Sequence, residues 1–75
     1  MTITTPDDLK TARHELGWSP RHLAQALRLA GMPEKAATRV REMEDGRRDI
    51  SGPVTVAVEA LVDGWRPEGW SLHDE

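Results

Sequence analysis

Residues 16–27 read LGWSPRHLAQAL and contain the predicted end of one helix and the predicted start of the next. Gly17 suits the left-handed conformation that ends many helices, because glycine adopts it at little cost. Ser19 and Pro20 follow at once, and a serine cap before a proline at the first helical position is a typical helix start. This stretch therefore predicts two helices joined by a tight turn.

A cap followed by a proline also occurs before this stretch, and hydrophobic periodicity predicts which faces of the two helices are buried. Thr5 and Pro6 predict the start of the first helix. Apolar residues then recur at helical spacing along both helices. These positions are Leu9, Ala12 and Leu16 in the first helix and Leu23, Ala24 and Leu27 in the second. We expect Gly31 to end the second helix.

A third helix is predicted over residues 36–44. Its apolar positions follow helical spacing, and its other positions are mostly polar. The apolar positions are Ala36, Val40 and Met43. Asp45 and Gly46 end this helix, whereas its start, near Met32 and Pro33, is not defined by the sequence.

A fourth element begins at residues 51–53, which read SGP. Residues 54–58 are rich in β-branched side chains, which suit a strand. A helix is favoured, because apolar residues recur with helical periodicity from Val54 to Trp65. Trp18 and Trp65 are expected in the core. The sequence therefore predicts an all-α domain of four to five short helices.

The composition favours a small binding module over an enzyme. The chain has 75 residues, of which 37% are hydrophobic and 31% charged, which suits one globular domain with one core. So short a chain hardly encloses a substrate pocket, and it offers no nucleophile and base at a recognisable spacing. It has no cysteine, and His14, His22 and His73 lack metal-ligand spacing. We expect no catalysis, no metal and no cofactor.

The sequence also predicts a cytoplasmic protein. No apolar run approaches the roughly 18 residues that span a bilayer, so no membrane partner is expected. Residues 1–9 lack the basic and then apolar layout of a signal peptide. No small-molecule ligand is evident from the sequence.

Charge is distributed unevenly along the chain. The net charge is −3, yet residues 10–48 carry nine basic and five acidic residues, a balance of +4. Residues 49–75 carry six acidic residues and one basic residue, a balance of −5. A basic middle between acidic ends is expected if the middle contacts a polyanion. The alternative is a solvated helical surface with uneven charge.

Three motifs in this chain match one family of regulators. They are LGWSP (residues 16–20), LAQAL (residues 23–27) and VREMEDG (residues 40–46). With these motifs, the second and third helices resemble the helix-turn-helix of the Cro and C1-type repressors, also called the XRE-like family. The resemblance covers about residues 9–62 and implies a lambda repressor-like DNA-binding fold.

Two features depart from the family pattern. Met43 stands where the family usually has tryptophan, and methionine adapts well to irregular gaps in a core. The connection between Leu27 and Val40 is longer than in the shortest members. The second helix is therefore longer, or the turn after it is wider.

The resemblance implies a transcriptional repressor that binds double-stranded DNA at an inverted repeat as a homodimer and regulates its own operon. Residues 5–65 would form the helix-turn-helix domain with a C-terminal dimerisation helix, and residues 66–75 an acidic tail. Small regulators of phages and mobile elements are similar, among them anti-CRISPR-associated regulators.

In such a complex the third helix contacts the bases. An arginine can donate two hydrogen bonds to the edge of a guanine. The expected base contacts are Lys35, Thr38, Arg39, Arg41 and Glu42. Glu42 can accept from a cytosine, although we favour the role of orienting Arg39 or an adjacent arginine. The expected phosphate contacts are Ser19, Arg21, Arg47 and Arg48. Arg47 and Arg48 can instead complement the negative end of a helix.

Two copies would present two third helices to successive major grooves, about 34 Å apart. The expected dimer interface consists of Val56, Ala60, Trp65, Trp70 and Leu72. The alternative is that these residues cover the core of the monomer.

Two other functions stay open at this stage. One is an antitoxin, which binds DNA through the helix-turn-helix and neutralises a toxin with its tail. The other is a helical protein-interaction module that does not bind DNA. Glu34, Glu42 and Glu44, on or near the third helix, are the main argument for the module.

Overall fold

The computed structural model describes residues 1–70, which form four α-helices and no strand. The helices are α1 (Pro6–Leu16), α2 (Pro20–Ala26), α3 (Pro33–Glu44) and α4 (Gly52–Val62). The prediction of an all-α fold is confirmed, and so is the choice of a helix for residues 54–58. Within residues 1–70, no helix combines the length and the apolar sequence needed to cross a membrane.

Side-chain caps start three of the four helices. Thr5 Oγ1 accepts from the Asp8 amide at 3.1 Å, and Asp8 Oδ2 accepts from the Thr5 amide at 3.1 Å, which forms a capping box. Ser19 and Ser51 each accept from the amide three residues on, at 3.2 and 3.4 Å. Met32 makes no such cap at α3. This difference explains why only the start of α3 was not defined by the sequence.

Each helix ends in the same pair of hydrogen bonds, the Schellman motif. A residue in the left-handed conformation donates to the carbonyl three positions back, and the next residue donates to the carbonyl five positions back. The left-handed residues are Gly17, Arg28, Gly46 and Gly64, with φ of +73°, +55°, +80° and +110°. Within residues 1–70, Arg28 is the only residue other than glycine with positive φ.

The prediction that Gly31 ends the second helix was wrong. α2 ends at Ala26, and Arg28 takes the left-handed position of its closure. Residues 27–32 form the connection to α3. The extra residues therefore widen the turn and do not lengthen the helix.

The core forms where α1 packs against α3 and α4, while α2 packs against α3. The largest fully buried side chains are Leu9, Leu23, Val40, Val58 and Leu61. Ile3 is also buried, and its amide donates to the Glu59 carboxylate of α4 at 2.8 Å. The N-terminal residues are thereby fixed to the last helix.

A buried ion pair joins α1 to α3. Arg13 Nε and Nη2 donate to the Glu44 carboxylate at 2.6 and 3.0 Å, and the two side chains are 12% and 5% exposed. Arg13 Nη1 also donates to the Trp18 carbonyl at 2.9 Å. One guanidinium group therefore connects α1, the turn after it and the end of α3.

The chain turns back over Trp18 after α4. The Arg66 guanidinium lies 5.0 Å from the centroid of the Trp18 ring, and the Trp70 ring centroid lies 5.3 Å from it. Pro67 is buried. Packing thus continues after α4 at least to residue 70.

The prediction that Trp65 belongs to the core was wrong, whereas that for Trp18 is confirmed. Trp65 is 52% exposed and Trp18 is 8% exposed. α4 ends at Val62, and Gly64 turns the chain with a φ of +110°. Trp65 therefore no longer follows the helical periodicity that predicted its burial.

Candidate DNA-binding surface

α3 packs its apolar side against the rest of the domain and leaves a polar face outside. Ala36, Ala37, Val40 and Met43 are buried, as the periodicity predicted for three of them. Short alanine side chains allow α2 and α3 to approach closely. The polar face of α3 is thereby held in a fixed orientation relative to α2.

The exposed face of α3 carries most of the predicted base contacts. Lys35, Thr38 and Arg41 are exposed, whereas Arg39 and Glu42 are half-buried. Lys35 lies in the first turn, because α3 begins at Pro33. The five residues therefore belong to one helix but differ in their access to a ligand.

Arg39 and Arg41 lie on opposite flanks of this face. Residues two positions apart on an α-helix differ by about 200° around its axis. Arg39 extends back toward the α2–α3 turn, since its Nη2 lies 3.5 Å from the position that a Cβ atom would take at Gly31. Arg41 is on the other flank and is exposed. The two arginines therefore do not present one joint surface to a groove.

Glu42 contacts an arginine beyond the end of α3. Arg48 Nε donates to Glu42 Oε1 at 3.3 Å, and both side chains are partly exposed. The sequence favoured a role in orienting Arg39 or an adjacent arginine; the observed partner is Arg48, six residues further along. The Arg47 amide donates to the Glu42 carbonyl at 2.9 Å, so the backbone of this turn is fixed while the Arg47 side chain is exposed.

The predicted phosphate contacts fall at two places. Ser19 and Arg21 lie at the cap and in the first turn of α2, and both are half-buried. Arg47 and Arg48 follow α3 and are exposed. The side chain of Ser19 already accepts from the His22 amide, so its first role is to cap α2.

Basic residues are concentrated in α2, α3 and the turns that follow them. Residues 20–48 contain seven basic and four acidic residues. Among the four, Glu44 is buried in its pair with Arg13 and contributes little to the surface. Residues 49–70 contain four acidic residues and one basic residue. The surface formed by α2 and α3 is therefore the basic part of the described chain.

The residues predicted for the dimer interface have different environments. Val56 and Trp65 are 66% and 52% exposed, and Ala60 is half-buried. Trp70 packs on Trp18 and so serves the monomer's own fold. Leu72 lies outside the described residues.

Comparisons with known proteins do not extend this description. No protein-family model, curated protein or solved structure matches the chain. Residues 1–70 also contain no group of three or more histidine, aspartate or glutamate side chains that could hold a metal ion.

Proposed function

We propose that this chain is a sequence-specific double-stranded DNA-binding protein that represses transcription, with α3 lying in the major groove. The observation that carries the proposal is the basic surface of α2 and α3, with Lys35 and Arg41 exposed on α3 itself. Twelve residues of α3 span about 18 Å, and the major groove, about 12 Å wide, admits an α-helix.

The exposed side chains of α3 suit different features of the groove. Arg41 can donate two hydrogen bonds to a guanine edge. The Thr38 hydroxyl donates to the Glu34 carbonyl at 2.9 Å, so its methyl group is the part that suits a thymine methyl. Arg47 and Arg48 would neutralise phosphates beside the groove.

The proposal includes a homodimer formed through α4. Val56 and Trp65 expose apolar side chains on and just after α4, and contact with a second copy would remove this apolar surface from water. A twofold arrangement would present two copies of α3 to an inverted repeat. We expect Val56→Glu to produce a monomer in sedimentation experiments, whereas Thr11→Glu, at an exposed position of α1, leaves the dimer intact. A chain that is monomeric at all concentrations would contradict this part of the proposal.

Repression follows from occupancy alone, because a protein bound over a promoter blocks initiation. We place the operator upstream of the chain's own gene and the protein in the cytoplasm. A narrower proposal is that it belongs with the small phage or mobile-element regulators, such as the anti-CRISPR-associated ones.

The rival function of a protein-interaction module relied on three acidic residues near α3. Glu44 is buried against Arg13, and Glu42 contacts Arg48, so both carboxylates are already engaged by arginines of the chain itself. This arrangement supports DNA over a basic protein as the partner of α3.

The test is binding to the upstream DNA beside an unrelated duplex, at several salt concentrations. We expect selective binding that weakens steeply with salt. Arg41→Ala should cost about 1–3 kcal/mol of discrimination between the two duplexes. Lys10→Ala removes one exposed positive charge from α1 and is the matched control. Equal weak binding to both duplexes, or an equal loss in the control, would contradict the proposal.

A further inference from the structure

A groove of about 300 Å³ lies between the end of α2, α4 and the chain that follows α4, and we call it the α2–α4 groove. Most of the residues that line it are apolar, and two are charged. The apolar ones are Ala26, Leu27, Ala57, Trp65 and Pro67. The charged ones are Arg28 and Glu68, and both are exposed. The groove therefore combines an apolar lining with one positive and one negative charge.

The α2–α4 groove is continuous with the exposed apolar surface of α4. Trp65 lines the groove and is 52% exposed. Val56 is 66% exposed and directly precedes Ala57, another lining residue. Contact with a partner would remove this apolar surface from water, which favours association. The groove therefore extends the contact surface of α4 toward the end of α2.

The two charged side chains of the groove lie beside one another. Arg28 Nη2 donates to the Glu68 carbonyl at 3.2 Å, so within residues 1–70 the guanidinium contacts the backbone of residue 68 and not its carboxylate. A guanidinium group has five N–H donors, and a carboxylate accepts through two oxygens. The Arg28 guanidinium and the Glu68 carboxylate can therefore each pair with an opposite charge on a partner.

We propose that the α2–α4 groove receives a second copy of this chain. A twofold axis makes one surface patch meet itself, so an axis passing close to these neighbouring charges would bring each Arg28 to Glu68 of the partner subunit. A partner with one sign of charge would attract one of the two side chains and repel the other. The inference rests on the homodimer of the proposed function, to which it adds the end of α2 and two charge pairs.

The backbone conformation of Arg28 fits this role. Its φ is +55°, and glycine adopts the left-handed conformation at lower cost than a residue with a Cβ atom. The other three helix closures have glycine at this position. An arginine in the α2 closure supplies a positive charge beside the groove, which a glycine would not.

The experiment reverses each charge and then mixes the two variants. Arg28→Glu and Glu68→Arg are prepared as full chains, and their dimer dissociation constants are measured by sedimentation without DNA. Each variant alone brings like charges together across the axis, so we expect its dissociation constant to rise by about tenfold or more. In an equimolar mixture one chain brings two acids and the other two arginines. Heterodimers with the strength of the unmodified dimer should then form.

Matched controls separate the groove from general charge effects. Lys10→Glu and Glu15→Arg reverse exposed charges on α1, and they should leave the dissociation constant unchanged, alone or mixed. A second measurement does not depend on charge reversal. Because the chain has no cysteine, Arg28→Cys and Glu68→Cys can be mixed and oxidised. We expect a disulfide between these two chains to form faster than one between either chain and Lys10→Cys.

The outcomes distinguish the groove from the proposed function. Recovery of the dimer in the mixture supports the groove as the interface. If both charge variants remain as strongly dimeric as the unmodified chain, or if the mixture does not recover, the groove proposal is overturned while the homodimer through α4 stands. A chain that is monomeric at all concentrations overturns the groove and the homodimer together. DNA binding is measured separately on the duplexes, so its failure would leave a dimer through the groove intact.

Discussion

α1 and α2 end with the same backbone hydrogen bonds but with different residues in the left-handed position. The Trp18 amide donates to the Arg13 carbonyl at 3.3 Å, and the Leu29 amide donates to the Ala24 carbonyl at 3.1 Å. Gly17 takes the left-handed position in one closure and Arg28 in the other. The comparison teaches that the two backbone hydrogen bonds define where a helix ends. The residue type in the left-handed position determines the conformational free energy that this ending costs.

The surroundings of the two closures differ as well. At the end of α1, Trp18 is buried under Trp70 and Arg66, and its carbonyl accepts from the Arg13 guanidinium. At the end of α2, Arg28 is exposed, and its Nη2 donates to the Glu68 carbonyl at 3.2 Å. The α1 closure is thus held by the core, whereas the α2 closure faces solvent.

We expect the largest loss in the free energy of unfolding when the buried ion pair at the α1 end is removed. Glu44→Ala leaves the Arg13 charge buried without its carboxylate, and we expect a loss on the order of 3 kcal/mol in the free energy of unfolding. Glu42→Ala removes a partly exposed pair from the same helix and should cost less than about 1 kcal/mol. Urea denaturation measures both. Equal losses would show that the pair does not secure the α1 end.

The ring contact over Trp18 should contribute the next largest effect. Trp70→Ala removes a half-buried ring packed on Trp18, and we expect a loss of about 2 kcal/mol in the free energy of unfolding. Trp65→Ala is the control, because that ring is 52% exposed. Measurements at low protein concentration keep association out of the comparison. A larger loss in the control would contradict the assignment of Trp70 to the fold.

Exchange of glycine and alanine tests the closures themselves. A Cβ atom at Gly17 would meet nothing within 4 Å, so Gly17→Ala should cost about 1 kcal/mol from backbone strain alone. At position 28, Arg28→Gly should be more stable than Arg28→Ala by a similar amount, about 1 kcal/mol, for the same reason. Thermal or urea unfolding of the four proteins gives both differences. If the alanine variant at position 28 is as stable as the glycine variant, the left-handed conformation is not strained at the end of α2 as it is at the end of α1.

The smallest effect concerns the other end of α1, where a carboxylate supports the cap. Hydrogen bonds from the Thr4 amide and hydroxyl, and then from the Thr5 amide, lower the pKa of Asp8 below its ordinary value of 3.8. The folded state therefore binds this proton less readily than the unfolded state. The stabilisation is present above pH 3.8 and is lost as the pH falls through the lowered pKa.

Asp8→Asn should reduce the loss in the free energy of unfolding that accompanies a fall in pH. Asp7→Asn is the control, since Asp7 is an exposed acid in the same first turn. The free energy of unfolding of both variants is measured from neutral to acidic pH. An unchanged pH dependence in the Asp8 variant would show that the capping box does not contribute to the loss of stability in acid.

Local signals predicted most helix boundaries correctly. Serine or threonine caps close to a proline gave three of the starts, and Gly17 and Gly46 gave two of the ends. The end of α2 escaped prediction because Arg28 takes a conformation that its residue type does not announce. The start of α3 escaped because Met32 offers no capping atom.

Contacts distant in sequence were not predictable in the same way. Periodicity places a residue on a face but does not name its partner, so the pairs Arg13–Glu44 and Ile3–Glu59 appear only in the structure. The polar face of α3 was predicted, whereas the direction of Arg39 toward the α2–α3 turn was not. That direction depends on the wide turn, whose shape the sequence does not specify.

The packing of Trp70 on Trp18 also gives the chain an optical signal of its own. All of its aromatic side chains are tryptophans, three in number, so no tyrosine or phenylalanine contributes to its near-ultraviolet spectra. Two of these rings lie 5.3 Å apart and tilted by 51°, while the third is mostly in solvent. Coupling between the close pair reports on the α1 end. Near-ultraviolet circular dichroism can thus follow the packing of residue 70 on the α1 closure without any added label.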